Sequence, residues 1–403
     1  LQLDEDEVIY NTAAVTMSSG TQLDLNDHIE TMGSLAGTGG VDLGSGALTT
    51  GGNDADTLFS GVISGDGTVT KTGAGTMTLS GSNTYTGLTT VEEGVLQSGA
   101  DEVLYNSGAL QVVTGGTFDV NGFKETVGSV ALVDGTLDDT AGGGLLTALT
   151  YDLQSGQVNS ALGEGAISKT TGGTVVLNAA TLAARVDIIG GLLQLDEDEV
   201  IYNTAAVTMS SDTQLDINDH TETIGSLAGA GNVALGMGDL TTGGNDTNTT
   251  YSGVISGSGT VTKTGAGTMT LSGSNTYTGE TTVLAGVLQS GADEVLYNSG
   301  SLRVAGGAYD VNGYNETVGS VALVDGTLDD TAGGGLLTAL TYDLQNGQVN
   351  SALGEGAISK TTGGTVVLNA ATLAATVDIT GGLLRLDEDE VIYNTASVTM
   401  SSA

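Results

Sequence analysis

The chain has 403 residues, 66 of them Gly and none Pro, Cys or Trp, and its 48 acidic against 8 basic side chains give a formal charge of −40. Phosphate affinity comes from Lys and Arg, so nucleic acid and anionic membrane surfaces are excluded as partners. Without Cys there is no disulfide framework and no thiolate metal site, and Gly this abundant without Pro is not collagen. The 39% of apolar residues fall in short, dispersed runs, enough for a core and too many for a disordered chain. None approaches the roughly 20 residues of a membrane span.

The chain opens on an acidic run, Asp4, Glu5, Asp6 and Glu7, followed by Val-Ile-Tyr-Asn. In a strand alternate carboxylates would be buried at high cost, so the run is expected at a corner or loop. Val15 and Met17 alternate with polar residues, as do Leu23 and Leu25, the pattern of short strands that bury one face. His28 closes an Asn-Asp-His turn that returns at His220; with no other His or Cys nearby it does not read as a metal site. GGNDADTLF at 51–59 faintly resembles the Ca²⁺-binding nonapeptide of β-rolls, but its copy at 243–251 replaces Asp56 by Asn248, which argues against a ladder of such sites.

At 68–70, 76–78 and 84–86 stand Thr-x-Thr triplets, which raise ice binding; they crowd into one segment, and outward Thr is explained by β-propensity. Lys71 follows Thr68-Val69-Thr70, and equivalent lysines stand at Lys169, Lys263 and Lys360. Strict alternation would bury Lys71 beside Val69, so the strand is expected to end there and the lysine to turn outward toward local carboxylates. DEVLYNSGALQVVTGGTFDVNG at 101–122 echoes the opening segment, with Phe118 and Val120 alternating. The tyrosines of these Val-Ile-Tyr-Asn and Val-Leu-Tyr-Asn segments (Tyr10, Tyr105, Tyr202, Tyr297, Tyr393) are expected as packing anchors.

From residue 193 everything returns. Leu1-Gln2-Leu3-Asp4 recurs at Leu193, an offset of 192, and again at Leu384, an offset of 191. Each copy is two weaker copies of about 96 residues, in the manner of stacked repeats. The expected layout is repeat 1 over 1–192, repeat 2 over 193–383 and the start of a third over 384–403, one continuous rod excerpted from a longer chain. Nested repetition, Gly corners and one-sided strands point to an all-β solenoid, with coils of roughly 20–25 residues at about 4.8 Å spacing.

GVISGDGTVTKTGAGTMTLSGSNTYTGLTTVEEGVLQ (61–97) closely resembles the autotransporter passenger-associated repeat, with its Lys-Thr-Gly-x-Gly-Thr, Asn-Thr-Tyr-Thr-Gly corner and closing Leu-Gln. It recurs at 253–289, and degenerate versions without that corner sit at 165–195 and 356–386. The resemblance implies a right-handed parallel β-helix exported to the bacterial cell surface or beyond. Nothing in the chain corresponds to the family's C-terminal outer-membrane barrel.

Clustered carboxylates suit Ca²⁺, which takes oxygen ligands. The candidate weak Ca²⁺ ligands are Asp4, Glu5, Asp6, Glu7, Asp196, Glu197, Asp198, Glu199, Asp387, Glu388, Asp389 and Glu390, against the plainer reading of a solvated acidic edge. No other cofactor is expected. Catalysis would need a singled-out carboxylate pair or an acid with a basic partner, and the arginines do not repeat: Arg185 becomes Thr376, and Gln111 becomes Arg303. The leading expectation is a structural or adhesive solenoid in a repetitive surface or fibre protein. Its expected partners are other copies, end to end or laterally, and cell-surface or matrix glycans. A Ca²⁺-responsive binding module is the alternative, and a polysaccharide-acting enzyme stands third.

Overall fold

The computed structural model describes residues 1–389 and 391–401. The chain divides into two compact units, Leu1–Val200 and Ile201–Ala403. Among the described residues the regular structure is entirely strand, and no helix is long and apolar enough to cross a membrane.

In the first unit the strands are short and pair in parallel with the strand one coil further on. Leu48 lies beside Val69, Val69 beside Thr89 and Thr89 beside Leu110, steps of 21, 20 and 21 residues. The second unit repeats this: Leu240 lies beside Val261, Val261 beside Thr281 and Thr281 beside Leu302, with the same steps. Each unit is therefore a parallel β-solenoid, as the nested repetition implied. Most of these steps fall within the expected length, and some coils are shorter: paired strands lie from 16 residues apart, at Thr150 and Ala166, to 22 apart, at Gly94 and Gly116.

The alternation holds inside each strand. In Thr68–Lys71 and Thr76–Leu79 every second side chain is buried, the apolar ones being Val69, Met77 and Leu79. Stacked along the first unit, Leu48, Val69, Thr89, Leu110 and Val130 form one inward column, and Leu23, Val41 and Ile63 another. Each buried aliphatic side chain contributes about 1.5–3 kcal/mol relative to exposure. Polar side chains also bond across coils: Thr78 Oγ1 donates to Gln97 Oε1 (3.1 Å), and Gln97 Nε2 donates to Oδ2 of the buried Asp119 (2.9 Å). Glycine is required where coils touch at corners. Gly51 takes φ +110°, and a Cβ there would meet the Thr72 carbonyl oxygen at 2.1 Å.

Candidate functional site

The acidic runs do lie at corners, and what they do there is specific. In the first unit Glu102 adopts φ 54°, which turns the chain between Asp101 and Val103. Asp101 Oδ1 accepts the Lys124 N–H (2.8 Å), and Glu102 accepts both the N–H (3.2 Å) and the hydroxyl (2.9 Å) of Thr126. Between those two, Glu125 answers: its Oε2 accepts the Val103 N–H (3.1 Å) and its Oε1 the Leu104 N–H (2.8 Å). The second unit builds the same reciprocal clasp from Asp293, Glu294 and Glu316, with Glu316 accepting Val295 N–H (3.1 Å) and Leu296 N–H (2.8 Å).

The opening run makes a third clasp. Asp6 Oδ1 accepts the Ile29 N–H (2.9 Å) and lies 3.0 Å from His28 Nδ1, while Glu7 Oε1 accepts the Thr31 hydroxyl (2.9 Å). Glu30 takes the Val8 and Ile9 amides (2.9 and 3.0 Å). The Ile29 amide and then His28 hold Asp6 below the usual carboxylate range. Glu222 accepts Ile201 N–H (3.2 Å) in the second unit.

Asp4, Glu5, Glu197, Asp198, Glu388 and Asp389 are exposed, and Glu199 takes φ 53° at its corner. Asp196 accepts the Gln194 amide at 2.9 Å, Asp387 pairs with Arg385, and Glu390 lies outside the described residues. Among the described residues no three carboxylate or imidazole side chains converge as a metal site requires. The carboxylates of the 51–59 segment serve the next coil as well. Asp54 and Asp56 accept Ala74 N–H (2.7 Å) and Thr76 N–H (2.8 Å), and Asn248 accepts Thr268 N–H at the same 2.8 Å in the other copy. An amide oxygen replaces the carboxylate without loss, so this position needs an acceptor rather than a charge.

Two expectations are corrected. The repeated lysines do not turn outward: Lys71 and Lys263 are 1% exposed, and Lys169 and Lys360 are 0%. The strand runs through its last residue, so alternation carries the side chain in. There the ammonium of Lys71 donates to the carbonyls of Thr72 (2.9 Å), Gly73 (2.7 Å) and Glu93 (3.0 Å), groups that a tight corner leaves without ladder partners. Burial lowers the pKa of all four lysines. The tyrosines after Val-Ile and Val-Leu are not packing anchors either, being 37% to 78% exposed. The Val and Leu before Tyr105 fill the interior, which leaves the ring on the turn.

The buried aromatics are others, notably Tyr85, whose hydroxyl shares a 2.5 Å hydrogen bond with Thr89 Oγ1. Beside it Asn83 ties three coils together. Its Oδ1 accepts Ile63 N–H (2.7 Å), and its Nδ2 donates to the carbonyls of Val103 (2.7 Å) and Gly81 (3.1 Å). One outward column is threonine, Thr31, Thr49, Thr70 and Thr90, and it ends at Gln111; Thr76 and Thr78 stand outside it, beside Val95 and Gln97. The column two residues earlier begins Ile29, Ala47 and Thr68, so no two-column Thr array is made.

Sequence reasoning missed the buried glutamates. Their signal is a Glu-Thr pair one coil after each acidic corner: Glu30-Thr31, Glu125-Thr126, Glu222-Thr223 and Glu316-Thr317.

A parallel solenoid that buries one Lys in each half-unit, and an Asn and a Tyr in alternate half-units, is a scaffold built from repeats. Residues 69–97 and 261–289 match the passenger-associated-transport-repeat, so the chain carries two copies of that repeat. It is similar to the adhesin BmaC autotransporter of Brucella suis biovar 1 (strain 1330), with 31% identity over 388 residues, which is 89% of this chain. The chain spans 11% of that relative's length. No solved structure matches it significantly.

Proposed function

We propose that this chain is an adhesive, non-catalytic stretch of an autotransporter passenger held outside a bacterial cell. The observation that carries the reading is the double passenger-repeat match on a parallel solenoid, together with a relative named as an adhesin. The commitment of buried acids and lysines to backbone groups favours scaffold over catalysis, because a reacting group must face its substrate. The partners proposed are glycans of cell surfaces or matrices and further copies of the chain, met through outward strand faces and corners.

The test is retention of chain-coated beads on epithelial cells, on immobilised matrix glycans and on one another, against beads coated with an unrelated protein of similar charge. Retention above that control on any of the three surfaces is expected. Equal retention on all three would overturn the adhesive reading, and release of reducing or unsaturated ends from polysaccharides would overturn the non-catalytic one.

A further inference from the structure

We propose that Glu125 and Glu316 act as proton-operated latches, closing their acidic corners when neutral and loosening them when charged. Both are 0% exposed, and each receives two consecutive backbone amides from the corner of the preceding coil. Facing Glu125 are those amides, the Ser98 hydroxyl at 3.3 Å, the Glu102 carboxylate and the Tyr85 phenol. Facing Glu316 are the corresponding amides, the Ser290 hydroxyl at 3.4 Å, the Glu294 carboxylate and the phenols of Tyr309 and Tyr277. None of these groups is a cation, and Lys124, next to Glu125 in sequence, is exposed.

A buried anion without a counter-ion forfeits hydration that two amide bonds do not fully replace, and a second carboxylate close by adds repulsion. The neutral acid suits the same site. Its carbonyl oxygen keeps the shorter amide bond, and its O–H can be donated to the serine hydroxyl. Burial, opposed by those amides, pushes Glu125 up to about 8 and Glu316 up to about 7. The folded value thus lies above the unfolded one. The folded chain binds the extra protons, and stability is fully present below the unfolded pKa and lost as pH rises through about 7 to 8.

Hydrogen exchange by mass spectrometry on the intact chain, from about pH 6 to about pH 9 and corrected for intrinsic base catalysis, tests this. Protection of the Val103, Leu104, Val295 and Leu296 amides is expected to fall about tenfold or more over that range, while the Thr68–Lys71 strand amides hold theirs. The double variant Glu125→Gln, Glu316→Gln keeps a carbonyl acceptor and cannot ionise, so its profile should be flat. A flat wild-type profile, a drop shared by the strand amides, or an undiminished drop in the double variant would each overturn the proposal. If the variant does not fold, the wild-type contrast between corner and strand decides alone.

Discussion

Two corners of the first unit do the same job with different chemistry. At the Asn-Thr-Tyr-Thr-Gly corner, the Asn83 N–H donates to the Val103 carbonyl (3.2 Å); at the degenerate corner, Thr181 stands in its place and donates to the Val200 carbonyl (2.7 Å). The backbone path is kept and the side-chain network is not. Asn83 makes three side-chain hydrogen bonds across neighbouring coils, whereas the buried Thr181 hydroxyl has no partner. Where Tyr85 fills the first corner, Ala183 fills the second, and both are buried. The second corner closes tighter: Lys71 pairs with Val91 20 residues on, and Lys169 with Ile188 19 on. The ladder and the apolar columns therefore suffice to close a coil, and the Asn-Tyr corner adds local strength. The lysine is common to both corners, so it belongs to the minimum.

The largest effect is accordingly expected at the lysine. Lys71→Ala leaves three inward carbonyls unpaired around a cavity and should cost about 3–5 kcal/mol, with Lys169→Ala close behind; denaturant midpoints of the two variants check this. Asn83→Ala should cost about 2–3 kcal/mol by the same measurement, while Thr181→Ala stays within about 1 kcal/mol, since no hydrogen bond is lost. Equal losses at these two positions would break the comparison. Asp56→Asn should change the melting temperature least, because Asn248 already serves with an equal hydrogen bond of 2.8 Å in the second copy. Added Ca²⁺ against EDTA should leave that melt unmoved, as Asp54 and Asp56 are committed to backbone amides.

Much of the fold was legible because it is written as period and punctuation. The alternation at Val69, Met77 and Leu79, the Gly corners and the offset of 192 each led to stacked parallel strands. The corners were harder to read, because there the outcome depends on backbone groups that sequence does not display. For Lys71 the alternation pointed inward, and the expected end of the strand turned the lysine outward; the strand instead runs through Lys71, and the carbonyls of Thr72, Gly73 and Glu93 receive its buried ammonium. Tyr105 was expected as a packing anchor, but Val103 and Leu104 already occupy the space. The acidic runs were placed correctly at corners, yet their work is reciprocal with Glu30, Glu125 and Glu316, and only the recurring Glu-Thr pair hinted at it.

Side chains that cap the backbone of a neighbouring coil decide how strongly each corner is locked, and residue-resolved hydrogen exchange at Ile63 and Leu162 measures that most directly. The Ile63 N–H is held by Asn83 Oδ1 (2.7 Å), and the Leu162 N–H by the Ala180 carbonyl (3.1 Å). Asn83→Ala should lower Ile63 protection about 30- to 100-fold, and Thr181→Ala should leave Leu162 protection unchanged. Unchanged protection at Ile63, or an equal loss at both amides, would contradict the role assigned to the Asn-Tyr corner.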